Sequence, residues 1–236
     1  MAQLMFALLH GGMHRGSCWD LVREELERLG HRSVAPDLPV DDDAAGAREW
    51  ARVAAAAIDS ATTDADGVAD VIVVAHSVSG LALPVLAALR PMRRMVFVGG
   101  LLPVPGVTFA EQIAENPDAV IFPEPEAGGS GPFGMTWESV RAGFYHDCPQ
   151  DIARSAFAQM RSQSFTVFLE PSPLAEWPDT PSTYILLRDD RAVGASWARR
   201  NAVRIGAQLV ELDGGHSPFF ARPAELAELL ADLAAE

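Results

Sequence analysis

The feature that most constrains the fold is the stretch from Val71 to Gly80, which reads VIVVAHSVSG. Its first four residues are β-branched and typical of a buried strand, and small residues then surround Ser77 before a helical pattern begins. A strand, a sharp turn and a helix in this order expose a serine hydroxyl at the carboxyl edge of a parallel sheet, in a strained backbone. Ser77 is therefore a candidate nucleophile, although a serine that only N-caps the following helix fits the same residues.

The match to the motif G-x-S-x-G is imperfect. Ala75 replaces the first glycine, Ser79 replaces the second, and Gly80 stands one position later. Both replacements are small, so we still predict the tight turn that the motif needs.

Two residues downstream complete a possible triad. Asp189-Asp190 follows the apolar run 182–187, and His216 follows the run 208–212 after two glycines. A nucleophilic serine needs a base to take its proton and an acid to hold the tautomer of that base, and Ser…Asp…His is one chain order in which folds supply them. Strand ends are also where open α/β sheets place their sites. The pattern leaves open which of the two aspartates is the acid.

The amino-terminal run 3–9 leads into His10-Gly-Gly-Met-His14. Glycines there let the backbone approach a substrate closely. Val78 is the residue after the candidate nucleophile. We expect the backbone N–H groups of Gly12 and Val78 to donate together to a developing oxyanion. His10 and His14 are expected to brace this loop, and His76 is expected to pack rather than to act as the base.

Apolar runs alternate with helical patterns along the chain, which is typical of a parallel sheet covered on both faces. The sequence therefore predicts an α/β fold with three layers, α/β/α, and about six mostly parallel strands in one domain over residues 1–236. The predicted strands are 3–9, 32–37, 69–75, 94–99, 182–187 and 208–212, and the predicted helices are 17–29, 46–60, 78–90, 195–205 and 222–235.

The middle segment, residues 103–181, breaks the alternation. A loop of that length without structure is uncommon. We therefore predict a cap, inserted after the fourth predicted strand, that covers Ser77 and shapes a pocket. Trp137 and Phe144 are the predicted substrate-binding residues, and Phe133 and Tyr145 are further aromatic candidates.

Composition narrows the function classes. The formal net charge of −14 disfavours nucleic acid and anionic membranes as partners. All 18 basic residues are arginine, which excludes a Ser–Lys dyad and a Schiff-base lysine. No metal-ligand spacing is present, so neither a metal nor another cofactor is expected. With no signal-like or membrane-spanning run, and with Cys18 and Cys148 expected to be free thiols, the chain is predicted to be cytoplasmic and either a monomer or a homodimer.

Four stretches carry a family resemblance: His10–Trp19, Ala75–Gly80, Asp190–Val193 and Gly214–Pro218. Together they resemble the α/β-hydrolase superfamily, and within it the small single-domain branch that includes plant methyl-ester esterases and hydroxynitrile lyases. The resemblance implies the α/β-hydrolase fold. In that family the acid is followed by two residues and a branched aliphatic residue, which favours Asp190 over Asp189.

The resemblance implies a cofactor-independent serine hydrolase that cleaves a carboxylic ester of a small or medium, partly apolar substrate through an acyl-enzyme. One alternative is a C–C lyase or a secondary-metabolite tailoring enzyme that uses the same triad. In the lyase relatives a threonine stands at the position of Gly11 and a lysine at that of Ser217, so hydroxynitrile cleavage lacks support here. Another alternative is a non-catalytic protein that binds a small molecule.

Overall fold

The structure is a computed structural model that describes residues 3–62, 70–121 and 134–235. Its strands are β1 Met5–Leu9, β2 Arg32–Val34, β3 Val71–His76, β4 Arg94–Val98, β5 Ser182–Leu187 and β6 Gln208–Leu212. In the described residues these strands form one sheet in the order β2-β1-β3-β4-β5-β6, and every neighbouring pair is parallel. The predicted parallel α/β sheet is confirmed.

The helices alternate with these strands as predicted outside the middle segment. They are α1 Asp20–Arg28, α2 Ala47–Ala61, α3 Leu83–Leu89, α4 Phe109–Glu115, α5 Trp137–Gly143, α6 Gln150–Ala158, α7 Thr166–Leu169, α8 Ala195–Arg204, α9 Pro218–Ala221 and α10 Pro223–Ala235. Short 3₁₀ helices at Gly16–Trp19 and Ser77–Leu81 precede α1 and α3.

The sheet has an apolar core on each face because successive strand residues point to opposite sides. On one side, Ala75 and Phe97 pack with residues of α2, α3 and α8. On the other side, Val74 and Val96 pack with residues of α1 and α10. Both faces are covered, which explains why the central strands are continuous apolar runs rather than alternating ones.

Prolines account for three differences from the predicted boundaries. Strand β2 ends at Val34, shortly before Pro36, which cannot donate to a strand ladder. The predicted helix 78–90 is a 3₁₀ turn followed by α3, which starts with Pro84 in its first turn. A separate α9 precedes α10, because Arg222, the residue before Pro223, leaves the helical region with φ −144°.

The middle segment follows β4 and contains α4, α5, α6 and α7 among the described residues. Helices α5 and α6 form a small apolar cluster of their own around Val140 and Tyr145, which also contacts Phe220 of α9. In the ranges 3–62, 70–121 and 134–235, no helix has the length and apolar character needed to cross a membrane.

Parallel pairing brings the carboxyl ends of β1, β3, β5 and β6 to one edge of the sheet. The segment His10–His14 follows β1, Ser77 follows β3, Asp190 comes shortly after β5, and His216 comes shortly after β6. The topology thus collects the predicted site residues, which are far apart in sequence, at a single edge.

Candidate active site

Ser77 has a strained backbone at the junction of β3 and the following 3₁₀ helix. Its φ is +53°, in the left-handed region that residues with a Cβ rarely adopt. Among the described non-glycine residues only Met13, with φ +62°, shares this conformation. Both residues line the same cavity, so the two strained positions of the described chain lie at one site.

The contacts of Ser79 and Gly80 explain why the second glycine of G-x-S-x-G stands one residue later in this chain. Ser79 is fully buried, and its hydroxyl donates to the carbonyl oxygens of Leu9 and His76 at 3.1 and 2.9 Å. A side chain is therefore accommodated at that position. At Gly80, by contrast, a Cβ would overlap the carbonyl oxygen of Leu101. The close backbone approach falls on Gly80, one residue later than the motif places it.

His216 and Asp190 form a buried pair beside this turn. His216 Nδ1 lies 2.9 Å from Asp190 Oδ2, and the two side chains are 2% and 5% exposed. A carboxylate only accepts, so Nδ1 carries the proton and Nε2 keeps its lone pair. His216 lines the same cavity as Ser77. The arrangement provides a base of fixed tautomer in the cavity that holds the candidate nucleophile.

Asp190, and not Asp189, is the aspartate that contacts the histidine. Its second oxygen, Oδ1, accepts from the backbone N–H groups of Ala192 and Val193 at 2.7 and 3.1 Å. Asp189 is exposed. The turn after β5 therefore fixes one carboxylate by two hydrogen bonds and directs its other oxygen at His216.

Two contacts that the sequence did not predict hold the segment around His216: His76 contacts His216 itself, and Asp147 contacts Gly215. His76 Nε2–H donates to the carbonyl oxygen of His216 at 2.7 Å, and the two ring centroids are 4.6 Å apart. Burial lowers the pKa of His76 well below its usual value, so this ring is neutral. Asp147, in the middle segment, accepts from the N–H of Gly215 at 2.7 Å. His146, its neighbour, packs against Gly215.

The loop after β1 is braced by its own histidines. His10 Nε2 accepts from the N–H of Leu38 at 2.8 Å, so its Nδ1–H donates to the carbonyl of Gly11 at 2.8 Å. His14 Nδ1–H donates to the carbonyl of Gly12 at 2.8 Å. Burial lowers the pKa of His10 to about 3 and that of His14 to about 4, so both rings are neutral at physiological pH.

A cavity of about 600 Å³ opens beside Ser77. The polar side chains among its described lining residues are His14, His76, Ser77, Gln163 and His216. The other lining residues are apolar apart from the backbone of Gly12, and none of the described ones is charged. Several come from the middle segment, including Ala110, Ile113, Met135, Phe165, Phe168 and Leu169.

The predicted site residues fall into two groups. Ser77, His216, Gly12, Val78 and Phe144 line the cavity. Trp137 lies elsewhere: it packs against Phe157, and the Arg154 guanidinium lies 3.8 Å above its ring.

Two other aromatic candidates have different outcomes. Tyr145 is buried and its hydroxyl donates to His14 Nε2 at 2.8 Å, while Phe133 lies outside the described residues.

In the described part of the chain no group of three or more potential ligands is placed to hold a metal ion, and both cysteines are buried free thiols.

Residues 6–229 match the alpha/beta hydrolase family. The chain belongs to that family. It is 28% identical over 244 residues to a pyrethroid hydrolase of Sphingobium wenxiniae, covering 96% of this chain and 86% of the relative. It is 25% identical over 259 residues to methylesterase 7 of Arabidopsis thaliana, covering 98% and 96%. The crystal structure of polyneuridine aldehyde esterase superimposes with a TM-score of 0.81 at 18% identity, covering 99% and 100%.

These comparisons confirm the family resemblance and the α/β-hydrolase fold with its six-stranded parallel sheet. Hydrolase chemistry is supported by the family and by the esterase names among the relatives.

Proposed function

We propose that the protein is a serine carboxylesterase that works through an acyl-enzyme. Ser77 Oγ attacks the ester carbonyl while His216 Nε2 takes its proton, and Asp190 stabilises the resulting imidazolium. The N–H groups of Gly12 and Val78 hold the oxyanion. His216 then returns the proton to the departing alcohol, which leaves the acyl group on Ser77. Water, deprotonated by His216, attacks that acyl group, and His216 passes this proton to Ser77 Oγ as the acid leaves.

The observation that carries this proposal is the buried His216–Asp190 pair, whose histidine lines the same cavity as a strained Ser77. A serine that only caps a helix needs neither a left-handed backbone nor a histidine of fixed tautomer beside it. The three elements come from the ends of three different strands, and their chain order is the one that this family uses for acyl transfer.

The cavity supports a neutral, largely apolar ester as the substrate class. A volume of about 600 Å³ lies within the range of pockets that enclose drug-sized ligands. Its polar side chains include Ser77 and the histidines around it, so the groups on either side of the ester bond would contact apolar walls. A carboxylate on the substrate would lose its hydration without gaining a charged partner among the described lining residues.

A matched pair of esters tests this proposal. We expect the wild-type protein to hydrolyse 4-nitrophenyl butyrate, and mono-4-nitrophenyl succinate at least about tenfold more slowly in kcat/KM, because the anion must be desolvated. Ser77→Ala should abolish both activities. Equal rates on the two esters would contradict the assigned substrate class. Binding of the esters without any turnover would instead identify a non-catalytic binding protein.

Mandelonitrile, assayed beside these esters, tests the lyase alternative. A Cβ at Gly11 would lie 2.5 Å from His76 Nδ1 and 3.1 Å from Ser77 Cβ, so the loop has no space for a side-chain hydroxyl there. Mandelonitrile should therefore release no cyanide above background. Cyanide release at a rate comparable to ester hydrolysis would overturn the esterase proposal.

A further inference from the structure

Arg161, in the middle segment between α6 and α7, joins that segment to the loop after β1. Its backbone N–H donates to the carbonyl of Met13 at 2.8 Å. Its guanidinium donates to the carbonyl of His14 through Nε at 3.3 Å and through Nη2 at 3.2 Å, and Nη2 also donates to the carbonyl of Leu38 at 2.6 Å. Nη1 reaches Asp41 Oδ1 at 3.2 Å. One residue thus holds two consecutive carbonyls of the loop.

This side chain is unusual for an arginine because it is mostly buried, with 12% of its surface exposed. Burial lowers the pKa of its guanidinium, because desolvation opposes the charge. Two of its acceptors are backbone carbonyls, which the planar, branched guanidinium can reach together. A lysine carries a single donor centre and cannot reproduce this geometry.

Two of the carbonyls that Arg161 holds, those of Met13 and His14, follow Gly12 directly. Met13 has a left-handed backbone with φ +62°, a conformation that persists only where surrounding contacts enforce it. This conformation fixes the Gly12–Met13 peptide relative to the Met13 and His14 carbonyls that Arg161 holds. Gln163, two residues after Arg161, packs its carboxamide against Gly12, since a Cβ there would lie 2.8 Å from Gln163 Oε1. Arg161 and Gln163 therefore both contact the loop that carries Gly12.

We propose that Arg161 is a positioning residue for the oxyanion hole: its guanidinium on the carbonyl of His14, together with its backbone N–H on the carbonyl of Met13, holds the N–H of Gly12 in the direction that the developing oxyanion needs. This assignment rests on the proposed function. The middle segment then has a role beyond forming the cavity wall, because it also fixes the geometry of the reacting centre.

Arg204 offers a matched control. Like Arg161 Nη2, its Nη2 donates to two backbone carbonyls, here those of Leu102 and Pro103 at 3.4 and 3.1 Å, and burial also lowers the pKa of its guanidinium. Those carbonyls belong to the loop after β4 and not to the loop that carries Gly12. The variants Arg161→Lys and Arg161→Met are therefore compared with Arg204→Lys and Arg204→Met. Because the lysine variants keep the charge, they still allow the comparison if a methionine variant fails to fold.

The first readout is amide hydrogen exchange of the peptide that covers residues 8–19, and it needs no activity. We expect faster exchange in Arg161→Lys and no change in Arg204→Lys. Unchanged exchange in the Arg161 variants overturns the proposal, whether or not the protein is an esterase. A wild-type protein that fails to turn over any ester would contradict the proposed function, and this result is distinct from the exchange result.

The second readout separates positioning from general stability. For Arg161→Lys we expect kcat to fall about 10- to 100-fold at nearly constant KM, because displaced oxyanion donors weaken the transition state and not the ground state. The inhibition constant of an aryl trifluoromethyl ketone, which forms an oxyanion on Ser77, should rise by a similar factor, while that of the matching methyl ketone stays constant. A lower melting temperature with unchanged kcat, or equal weakening of both ketones, overturns the proposal.

Discussion

Asp190→Asn is the substitution whose outcome the structure determines most closely. Asp190 Oδ1 accepts two backbone N–H groups, from Ala192 and Val193. In the asparagine variant the side-chain oxygen must take that position, because an NH₂ group facing two N–H donors is repelled. The NH₂ group then faces His216 Nδ1, which must become an acceptor, so the ring proton moves to Nε2.

A histidine protonated at Nε2 cannot take the proton of Ser77. The corresponding Asp→Asn change in a serine protease lowers kcat by about 10⁴-fold, and here we expect a loss of about 10³- to 10⁴-fold, or about 4–5.5 kcal/mol of transition-state stabilisation. The change is isosteric and leaves the backbone contacts in place, so the melting temperature should change little.

The assay compares kcat on 4-nitrophenyl butyrate for the wild type, Asp190→Asn and the neighbouring control Asp189→Asn. Asp189 is exposed, and its variant should stay within about threefold of the wild type, as is usual for a surface change away from the site. A loss below about tenfold in Asp190→Asn, or an equal loss in both variants, would refute the assignment of the acid.

Three further predictions follow from local contacts. Gly80→Ala should lower the free energy of unfolding by about 1–3 kcal/mol in urea titrations, because its Cβ overlaps the carbonyl of Leu101, whereas Gly134→Ala, with nothing within 4 Å, should change it little. Burial lowers the pKa of His14 from 6.5 to about 4, so the neutral ring stabilises the fold fully above pH 6.5. Its contribution to the free energy of unfolding, about 3 kcal/mol, is lost as the pH falls toward 4. His14→Asn should therefore show a weaker loss of stability over this pH range, and an unchanged pH dependence would argue against a buried neutral ring. Ala110→Trp should fill part of the cavity and lower kcat/KM for 1-naphthyl butyrate about tenfold while sparing 4-nitrophenyl acetate, and an unchanged kcat/KM for the naphthyl ester would place Ala110 outside the substrate path.

The sheet and the residues at its edge could be predicted because each depends on local sequence. Strand β3 is buried on both faces and is therefore a continuous apolar run, and glycines mark the approach to His216. The split of the helix after Ser77 also had a local signal in Pro84, which the sequence analysis did not use.

Contacts between distant residues could not be predicted in the same way. Phe144 and Trp137 are both aromatic and lie seven positions apart, but only the packing of α5 against α6 decides that Phe144 lines the cavity and Trp137 packs against Phe157. Arg161 holds carbonyls that lie 147 and 123 positions away in the chain. An arginine in the middle segment has no sequence pattern that distinguishes it from a surface residue.

Covalent labelling of the serine tests the central claim most directly. The wild type, Ser77→Ala and Ser79→Ala are incubated with a fluorophosphonate probe, and the labelled residue is located by peptide mass spectrometry. Ser79 is a close control, because it lies two residues away and its hydroxyl is committed to the carbonyls of Leu9 and His76. We predict one probe per chain on Ser77, no label in Ser77→Ala and normal labelling in Ser79→Ala. Labelling that persists in Ser77→Ala, or no labelling of the wild type, would contradict an activated serine at this position.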